Sequence, residues 1–299
     1  MINVYIVSGF LGAGKTTFIQ KLLKEKKFEK VMLLENEFGE VGVDGAFFDS
    51  SLNIKEINNG CICCSLQGDF EDALEEIEEM GVSDLLIEPS GVGKLSEIIN
   101  VVKGDPDFRI VSHICIVDVK TCRKYHLNFK EYFDDQVRSA NAIVLSHVDV
   151  ADQETVDAAV TIVRQLNEEA ELITRPLDEY TIEELLNIIV SGGDILPEVD
   201  EEHEHHHHHH DDDDDEIFKN QILEPTHVFT RKELEEIFTK IPEDIIRIKG
   251  YVHSDEGTMY FNYVLNEYNI FTGSEREGSL VSVIGTSIDE EYFRELFHD

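Results

Sequence analysis

The sequence predicts an α/β domain built on a mostly parallel sheet covered by helices, followed by a smaller α+β domain. Three features carry this reading. Short β-rich apolar runs alternate with helical patterns over the first two thirds of the 299 residues. A glycine-rich segment joins the first run to the first helical pattern. Asp200–Glu216, which holds only acids and histidines, separates this region from a shorter one where the alternation resumes.

Taken in chain order, Ile2–Ser8 is apolar and β-branched and predicts the first strand, with Thr16–Glu25 as the helix after it. Val31–Glu35, Leu85–Glu88, Ile110–Asp118, Ala142–Ser146 and Glu171–Thr174 predict the remaining strands of this region. Phe70–Met80, Gln153–Leu166 and Thr181–Ile189 predict helices between them. The alternation ends near Ser191-Gly192-Gly193, so the first domain is expected over residues 1–193. Ten acids and seven His in Asp200–Glu216 cannot bury apolar surface, and residues 194–220 are expected to be a solvated, disordered linker. Residues 221–299 are expected to form the second domain. Its strands are predicted at Thr226–Thr230, Ile245–Val252, Met259–Leu265 and Leu280–Ile284, its helices at Arg231–Lys240 and Asp289–Phe297.

Hydrophobic residues make up 41% of the chain and charged residues 29%, the balance of a globular protein. With 63 Asp+Glu against 25 Lys+Arg, the formal charge is −38. Such a field repels phosphate backbones and anionic lipid, so neither nucleic acid nor membrane is an expected partner. Metal cations and basic protein surfaces fit better. No apolar run reaches the roughly 18 residues of a membrane-spanning helix, and MINVYIVSG opens a strand rather than a secretory signal. Three of the five cysteines crowd into Cys61-Ile62-Cys63-Cys64. Clustered thiols of this kind bind metal or do redox work in a reducing compartment, and a cytoplasmic location is expected.

Gly9-Phe10-Leu11-Gly12-Ala13-Gly14-Lys15-Thr16 fits G-x-x-x-x-G-K-[ST] between a strand and a helix, the pattern of a P-loop NTPase. The glycines let backbone N–H groups turn inward around a β-phosphate. Lys15 can span the β- and γ-phosphates, the Thr16 hydroxyl can ligate Mg²⁺, and the helix points its positive end at the anion. A second acid at a neighbouring strand end must hold Mg²⁺ or its waters. Glu88 and Asp118 both end strands; Glu88 is preferred because Gly91, three residues on, can bring its N–H to a γ-phosphate.

Ala142–Leu145 leads into Ser146-His147-Val148-Asp149, where guanine-reading P-loop proteins carry N-K-x-D. Asp149 can pair with the N1–H and N2–H of guanine, whereas adenine offers no matching donors, so GTP is favoured over ATP. Ser146 and His147 depart from that pattern. The serine can still hydrogen-bond, and the histidine can still stack on the ring.

Cys61, Cys63 and Cys64 supply three thiols within four residues. Soft thiolates select Zn²⁺ or Cu⁺ over Mg²⁺ or Ca²⁺. A fourth ligand must come from elsewhere, from water or from an acid of Glu35-Asn36-Glu37-Phe38-Gly39-Glu40. An open position suits a site that hands metal on. A redox-active thiol pair and buried hydrophobic cysteines are the alternatives.

GFLGAGKTT, ENEFGEVGVD, NGCICC and EPSG together resemble the CobW-like metallochaperone GTPases, and IIRIKGYV and VSVIG look like the CobW C-terminal domain. The resemblance covers nearly the whole chain except the His/Asp linker. It implies a GTPase domain whose switch loops report the γ-phosphate to a metal site on the Cys motif. By position, it implies that Gly9–Thr17, with Ala13 and Thr17 included, holds phosphate and Mg²⁺. Glu88 is then the Walker B acid, and Ser146, His147 and Asp149 belong to the base motif. Cys61, Cys63 and Cys64 form the transition-metal site, and Glu35 and Glu40 fall in a switch-like acidic loop where metal-linked acids occur. Gln136 matches a glutamine that recurs before the base motif, with no catalytic role assigned to it.

His203, His205, His206, His207, His208, His209 and His210 lie beside Asp211–Asp215. An engineered tag and an inert charge run are alternatives to a tether that collects Zn²⁺, Ni²⁺ or Co²⁺. Imidazoles bind these ions and the acids raise local cation concentration, so binding there is expected to be multi-site, exchangeable, weakly selective and lost at pH 5 to 6.

The sequence therefore points to a cytoplasmic GTPase that binds a transition metal, most simply Zn²⁺ with Co²⁺ or Ni²⁺ as alternatives, and passes it to a client metalloprotein. Slow intrinsic turnover is expected, because no arginine finger is evident near the P-loop. The second domain is expected to recognise the client, and a homo-oligomer governed by nucleotide or metal is left open. Two rivals stand beside this reading. A small-molecule P-loop kinase leaves GCICC and the His run unexplained, and a passive metal store would use nucleotide only structurally.

Overall fold

The computed structural model describes residues 1–25, 28, 30–37, 53–58, 66–193, 196, 218–242, 244–255, 257–264, 267–273 and 275–299. Cys61, Cys63, Cys64, Glu40 and the His203–His210 run lie outside the described residues. The chain divides into two compact units, one N-terminal and one C-terminal.

In the N-terminal unit the strands are β1 (Ile2–Gly9), β2 (Val31–Glu37), β3 (Asn53–Asn58), β4 (Asp84–Glu88), β5 (Phe108–Asp118), β6 (Ala142–Ser146) and β7 (Glu171–Ile173). They form one sheet in the order β3-β2-β4-β1-β5-β6-β7. Every pair from β2 to β7 runs parallel. Parallel neighbours need crossovers, which the helices provide: α1 (Lys15–Glu25), α2 (Leu66–Glu79), α3 (Leu95–Gly104), α4 (Cys122–Asn128), α5 (Lys130–Arg138), α6 (Gln153–Leu166) and α7 (Ile182–Ile189).

Both faces of the sheet are buried, which is why its strands read as continuous apolar runs. Tyr5, Val7, Leu86, Ile114, Ile116 and Val144 pack against Phe18, Ile19 and Leu22 of α1 and Leu185 and Ile189 of α7. The alternate residues Val4, Ile6, Leu85, Ile87 and Ile143 are equally buried on the opposite face. Helices α3 and α5 touch β5 and β1 respectively.

One close approach is decisive for the chain path. Gly9 ends β1 at φ +144°, and a Cβ there would lie 2.4 Å from the Ile116 carbonyl oxygen of β5. Gly9→Ala is therefore expected to destabilise the unit by about 3 kcal/mol, from backbone strain and overpacking together. A urea midpoint within error of the unmodified protein would contradict this.

The C-terminal unit is an antiparallel sheet of β8 (Lys219–Leu223), β9 (Ile245–Ser254), β10 (Gly257–Val264), β11 (Glu267–Gly273) and β12 (Leu280–Gly285). Its order is β11-β10-β9-β12-β8. Helices α8 (Arg231–Phe238) and α9 (Glu290–Phe297) cover one face through Leu234, Phe238, Phe293 and Phe297.

Several expected elements need correction. The strand expected at Thr226–Thr230 is absent: Phe229 makes only a single bridge to Ser254, its N–H donating to the His253 carbonyl at 2.8 Å. Pro225 supplies no N–H, and Thr230 is already turned to cap α8, its hydroxyl accepting from the Glu233 N–H. The pairing strand is β8, which opens at Lys219 and so enters the segment expected to be linker. Strands β3 and β11 and helices α3, α4 and α5 were not expected. Helix α2 begins four residues before the expected Phe70.

Candidate nucleotide site

The functional residues converge because the strands are parallel: their carboxyl ends lie along one edge of the sheet. Gly9, Glu88, Asp118 and Ser146 end β1, β4, β5 and β6. Asp118 stands opposite Ser146 in register, and Glu35 of β2 opposite Glu88. Central strand β1 sits between β4 and β5, where the chain order reverses, the place at which open α/β sheets bind ligands.

The loop between β1 and α1 is set by its glycines. Gly12 (φ +74°) and Gly14 (φ +100°) occupy left-handed backbone that other residues resist. Lys15 is buried, and its Nζ donates to the Gly9 carbonyl at 3.0 Å, which holds the ammonium within the loop. Ala13 is buried and Thr17 is exposed on the first turn of α1. Phe10 is wedged between Tyr125 and Phe129, ring centroids 4.2 and 5.3 Å away, and the Tyr125 hydroxyl donates to the Leu11 carbonyl at 3.2 Å.

The Thr16 hydroxyl lies 3.2 Å from a Glu88 carboxylate oxygen, donating to it from the P-loop to the end of β4. Asp118, the other strand-end acid, is engaged elsewhere: it accepts from the Lys120 N–H at 2.9 Å and faces His147 Nδ1 at 3.2 Å. Two buried acids, Glu35 and Glu88, thus share one register position beside the cradle. A cation beside two buried carboxylates would offset the cost of burying their charge. Gly91 packs on the P-loop itself, since a Cβ there would come within 2.6 Å of the Leu11 side chain and 2.8 Å of its nitrogen.

In the base motif, His147 adopts a left-handed backbone (φ +58°) and its ring sits between Asp118 and the Ser146 hydroxyl, 3.4 Å away. Asp149 is exposed two residues on. Ser146 stands close to the P-loop, its Cβ 3.9 Å from where a Cβ on Gly14 would be. Cys115 and Cys122 are free thiols in the core; burial raises the first and pushes the second up to about 12, so neither is a thiolate at neutral pH.

The structure thus brings together Gly9, Gly12, Ala13, Gly14, Lys15, Thr16, Glu88 and Gly91, with Glu35 beside them. It adds two side chains without an assigned role in the sequence, Tyr125 behind Leu11 and Gln136 behind Gly91. Tyr125 carried no local signal, and Gln136 only a position matching the family without a role, because each acts by hydrogen-bonding a backbone carbonyl distant in the chain.

Fold and cradle together define a P-loop nucleotide-binding domain with an antiparallel second domain. Residues 3–174 match the model of the CobW/HypB/UreG nucleotide-binding domain, and residues 218–299 match that of the cobalamin synthesis protein cobW C-terminal domain. The chain belongs to the CobW/HypB/UreG family.

Among its relatives is the protein named zinc chaperone YeiR of Escherichia coli, 37% identical over 164 residues, which covers 53% of this chain and 50% of that one. The zinc chaperone CobW of Pseudomonas aeruginosa is 28% identical over 191 residues, 52% of this chain and 51% of that one. The chain thus spans about half the length of the curated relatives it matches. The crystal structure of Zn(II)-bound YjiA GTPase from E. coli aligns over 99% of this chain and 98% of that one, with 21% identity and a TM-score of 0.42. No helix among the described residues is long and apolar enough to cross a membrane.

Proposed function

We propose that this protein is a GTP-hydrolysing metallochaperone of the cytoplasm, which binds zinc at Cys61, Cys63 and Cys64 and transfers it to a client metalloprotein. The observation that carries the nucleotide half is the Thr16–Glu88 pair at 3.2 Å, directly behind a P-loop lysine. The metal half rests on three thiols within four residues, and relatives named zinc chaperones support zinc over Co²⁺ or Ni²⁺.

Thr16 and Glu88 offer the hard oxygen donors that Mg²⁺ takes, with Glu35 adding charge beside them. When bound, Mg²⁺ neutralises charge on the phosphate oxygens. Lys15 leaves the Gly9 carbonyl for the β- and γ-phosphates and stabilises the negative charge that develops as water attacks. Gly91 reads the γ-phosphate at the end of β4. Hydrolysis changes how Glu40 and the Cys motif are held, which opens the thiolate site to an acceptor. The C-terminal domain recognises the client, and the His203–His210 run gathers metal for the thiolates.

The test of the nucleotide half is phosphate release with Mg²⁺-GTP and Mg²⁺-ATP. GTP should turn over slowly, and ATP should be the poorer substrate. Guanine reading by Asp149 has a sharper check. Asn presents one acceptor and one donor, which mismatch guanine's N1–H and N2–H but match the N1–H and C2 carbonyl of xanthine. Asp149→Asn is expected to weaken GTP binding about 10- to 100-fold, the worth of charge-assisted hydrogen bonds, and to strengthen binding of the xanthine nucleotide. An unchanged preference would remove Asp149 from the base site.

A further inference from the structure

Three side chains of α5 hold the segment that follows Glu88. Gln136, fully buried, donates its amide nitrogen to the carbonyls of Gly91 at 3.2 Å and Gly93 at 2.7 Å. Asp135 accepts from the Ser96 N–H at 3.1 Å and the Ser96 hydroxyl at 2.6 Å. Glu131 pairs with Lys94 at 2.6 Å. The anchor is itself fixed: Phe133 and Val137 of α5 are in the core, and the Asn167 amide donates to the carbonyls of Val137 and Ala140 at its end.

The restraint falls where the backbone is least able to hold itself. Gly91 and Gly93 flank Val92 in a turn closed by the Gly93 N–H donating to the Ser90 carbonyl at 3.0 Å. Two glycines in three residues leave the peptide planes free to rotate unless something outside the turn fixes them. Gln136 takes both carbonyls at once. The same turn presses on the P-loop through Gly91 and Leu11, whose carbonyl Tyr125 holds from the other side.

Packing does not account for a glutamine at this position. Two carbonyl oxygens can be faced only by the amide nitrogen, so the orientation of the side chain is set. Its Oε1 is then buried and accepts nothing among the described residues. An acceptor stripped of water without a donor is a cost that an apolar residue of similar volume would avoid.

We infer that Gln136 is a positioning residue for triphosphate hydrolysis: by clamping the Gly91 and Gly93 carbonyls, it holds the Gly91 backbone against Leu11, where the γ-phosphate is read. The inference rests on the GTPase reading above and deepens it. It separates the two phosphates by their supports, Gln136 serving the γ-phosphate loop and Tyr125 the P-loop common to GTP and GDP.

The experiment uses the full chain with Mg²⁺, measuring GTP turnover and the affinities for GTPγS and GDP. Gln136→Met keeps the length and removes the donor. It should lower kcat about tenfold or more and weaken GTPγS, while GDP affinity stays within about twofold, because GDP has no γ-phosphate to be read. Tyr125→Phe should move GTPγS and GDP by the same factor. Ser96→Ala, at the more accessible end of the segment, should reproduce the Gln136→Met split at about threefold and keeps the test open if the buried variant does not fold.

Equal losses of GTPγS and GDP affinity in both Gln136→Met and Ser96→Ala, or kcat unchanged in both, would overturn the inference and leave the GTPase reading standing. An unmodified protein that neither binds nor hydrolyses GTP would instead overturn the GTPase reading on which it rests.

Discussion

Lys15→Ala is expected to lower GTP turnover by at least about 10²- to 10³-fold, the loss typical when one preorganised donor to a developing anion is removed. The structure makes this residue hard to replace. Its ammonium is buried in the loop and already desolvated against the Gly9 carbonyl at 3.0 Å, so moving onto phosphate exchanges one oxygen for another without a large reorganisation. The fold should survive, since a hydrogen bond such as the one to the Gly9 carbonyl is worth about 1 kcal/mol. Turnover within about threefold of the unmodified protein, with circular dichroism unchanged, would mean that hydrolysis does not pass through this loop.

The second large effect concerns the metal. Replacing Cys61, Cys63 and Cys64 together by Ser should weaken zinc binding about 10³-fold or more, because neutral hydroxyls substitute for thiolates at a borderline-soft ion. The buried thiols of Cys115 and Cys122 cannot compensate: burial holds both protonated at neutral pH. Competition with a chromogenic chelator checks this in protein lacking residues 200–216, where the His run cannot mask the result. Undiminished affinity in that variant would move the zinc site away from the cysteine motif.

Much of the nucleotide cradle was legible in the sequence, and for a physical reason. Strands buried on both faces are apolar throughout, so Ile2–Gly9, Asp84–Glu88, Phe108–Asp118 and Ala142–Ser146 stand out as runs. The P-loop needs glycine at fixed positions, and the strand-end acid follows from the parallel topology. The region between β4 and β6 was less legible. Helices α4 and α5 are 7 and 9 residues long and meet at Phe129, too short for a helical period to emerge.

Strand β8 escaped for a different reason: Gln221 points inward, where an apolar residue is expected, and its amide nitrogen donates to the Glu290 carbonyl at 3.0 Å. Thr226–Thr230 offered better β-propensity but has no partner strand across more than one position. The sequence preferred Glu88 over Asp118 because Gly91 follows it, but both acids end buried strands and their partners were not legible. Only the structure shows Asp118 facing His147 and Glu88 facing Thr16. The parts played by Gln136 and Tyr125 belong to the same class, since each is defined only once the carbonyl it holds has been placed.

Metal transfer driven by hydrolysis requires a coupling between nucleotide and metal, and the direct measure of it is zinc affinity in two nucleotide states. Protein lacking residues 200–216 is titrated with zinc against a competing chelator, once with Mg²⁺-GTPγS and once with Mg²⁺-GDP. A difference of about tenfold, equivalent to about 1.4 kcal/mol of coupling, is the predicted result, since a protein that hands metal on must hold it differently before and after hydrolysis. Equal affinities would contradict the account and leave a metal-binding protein in which nucleotide plays only a structural part.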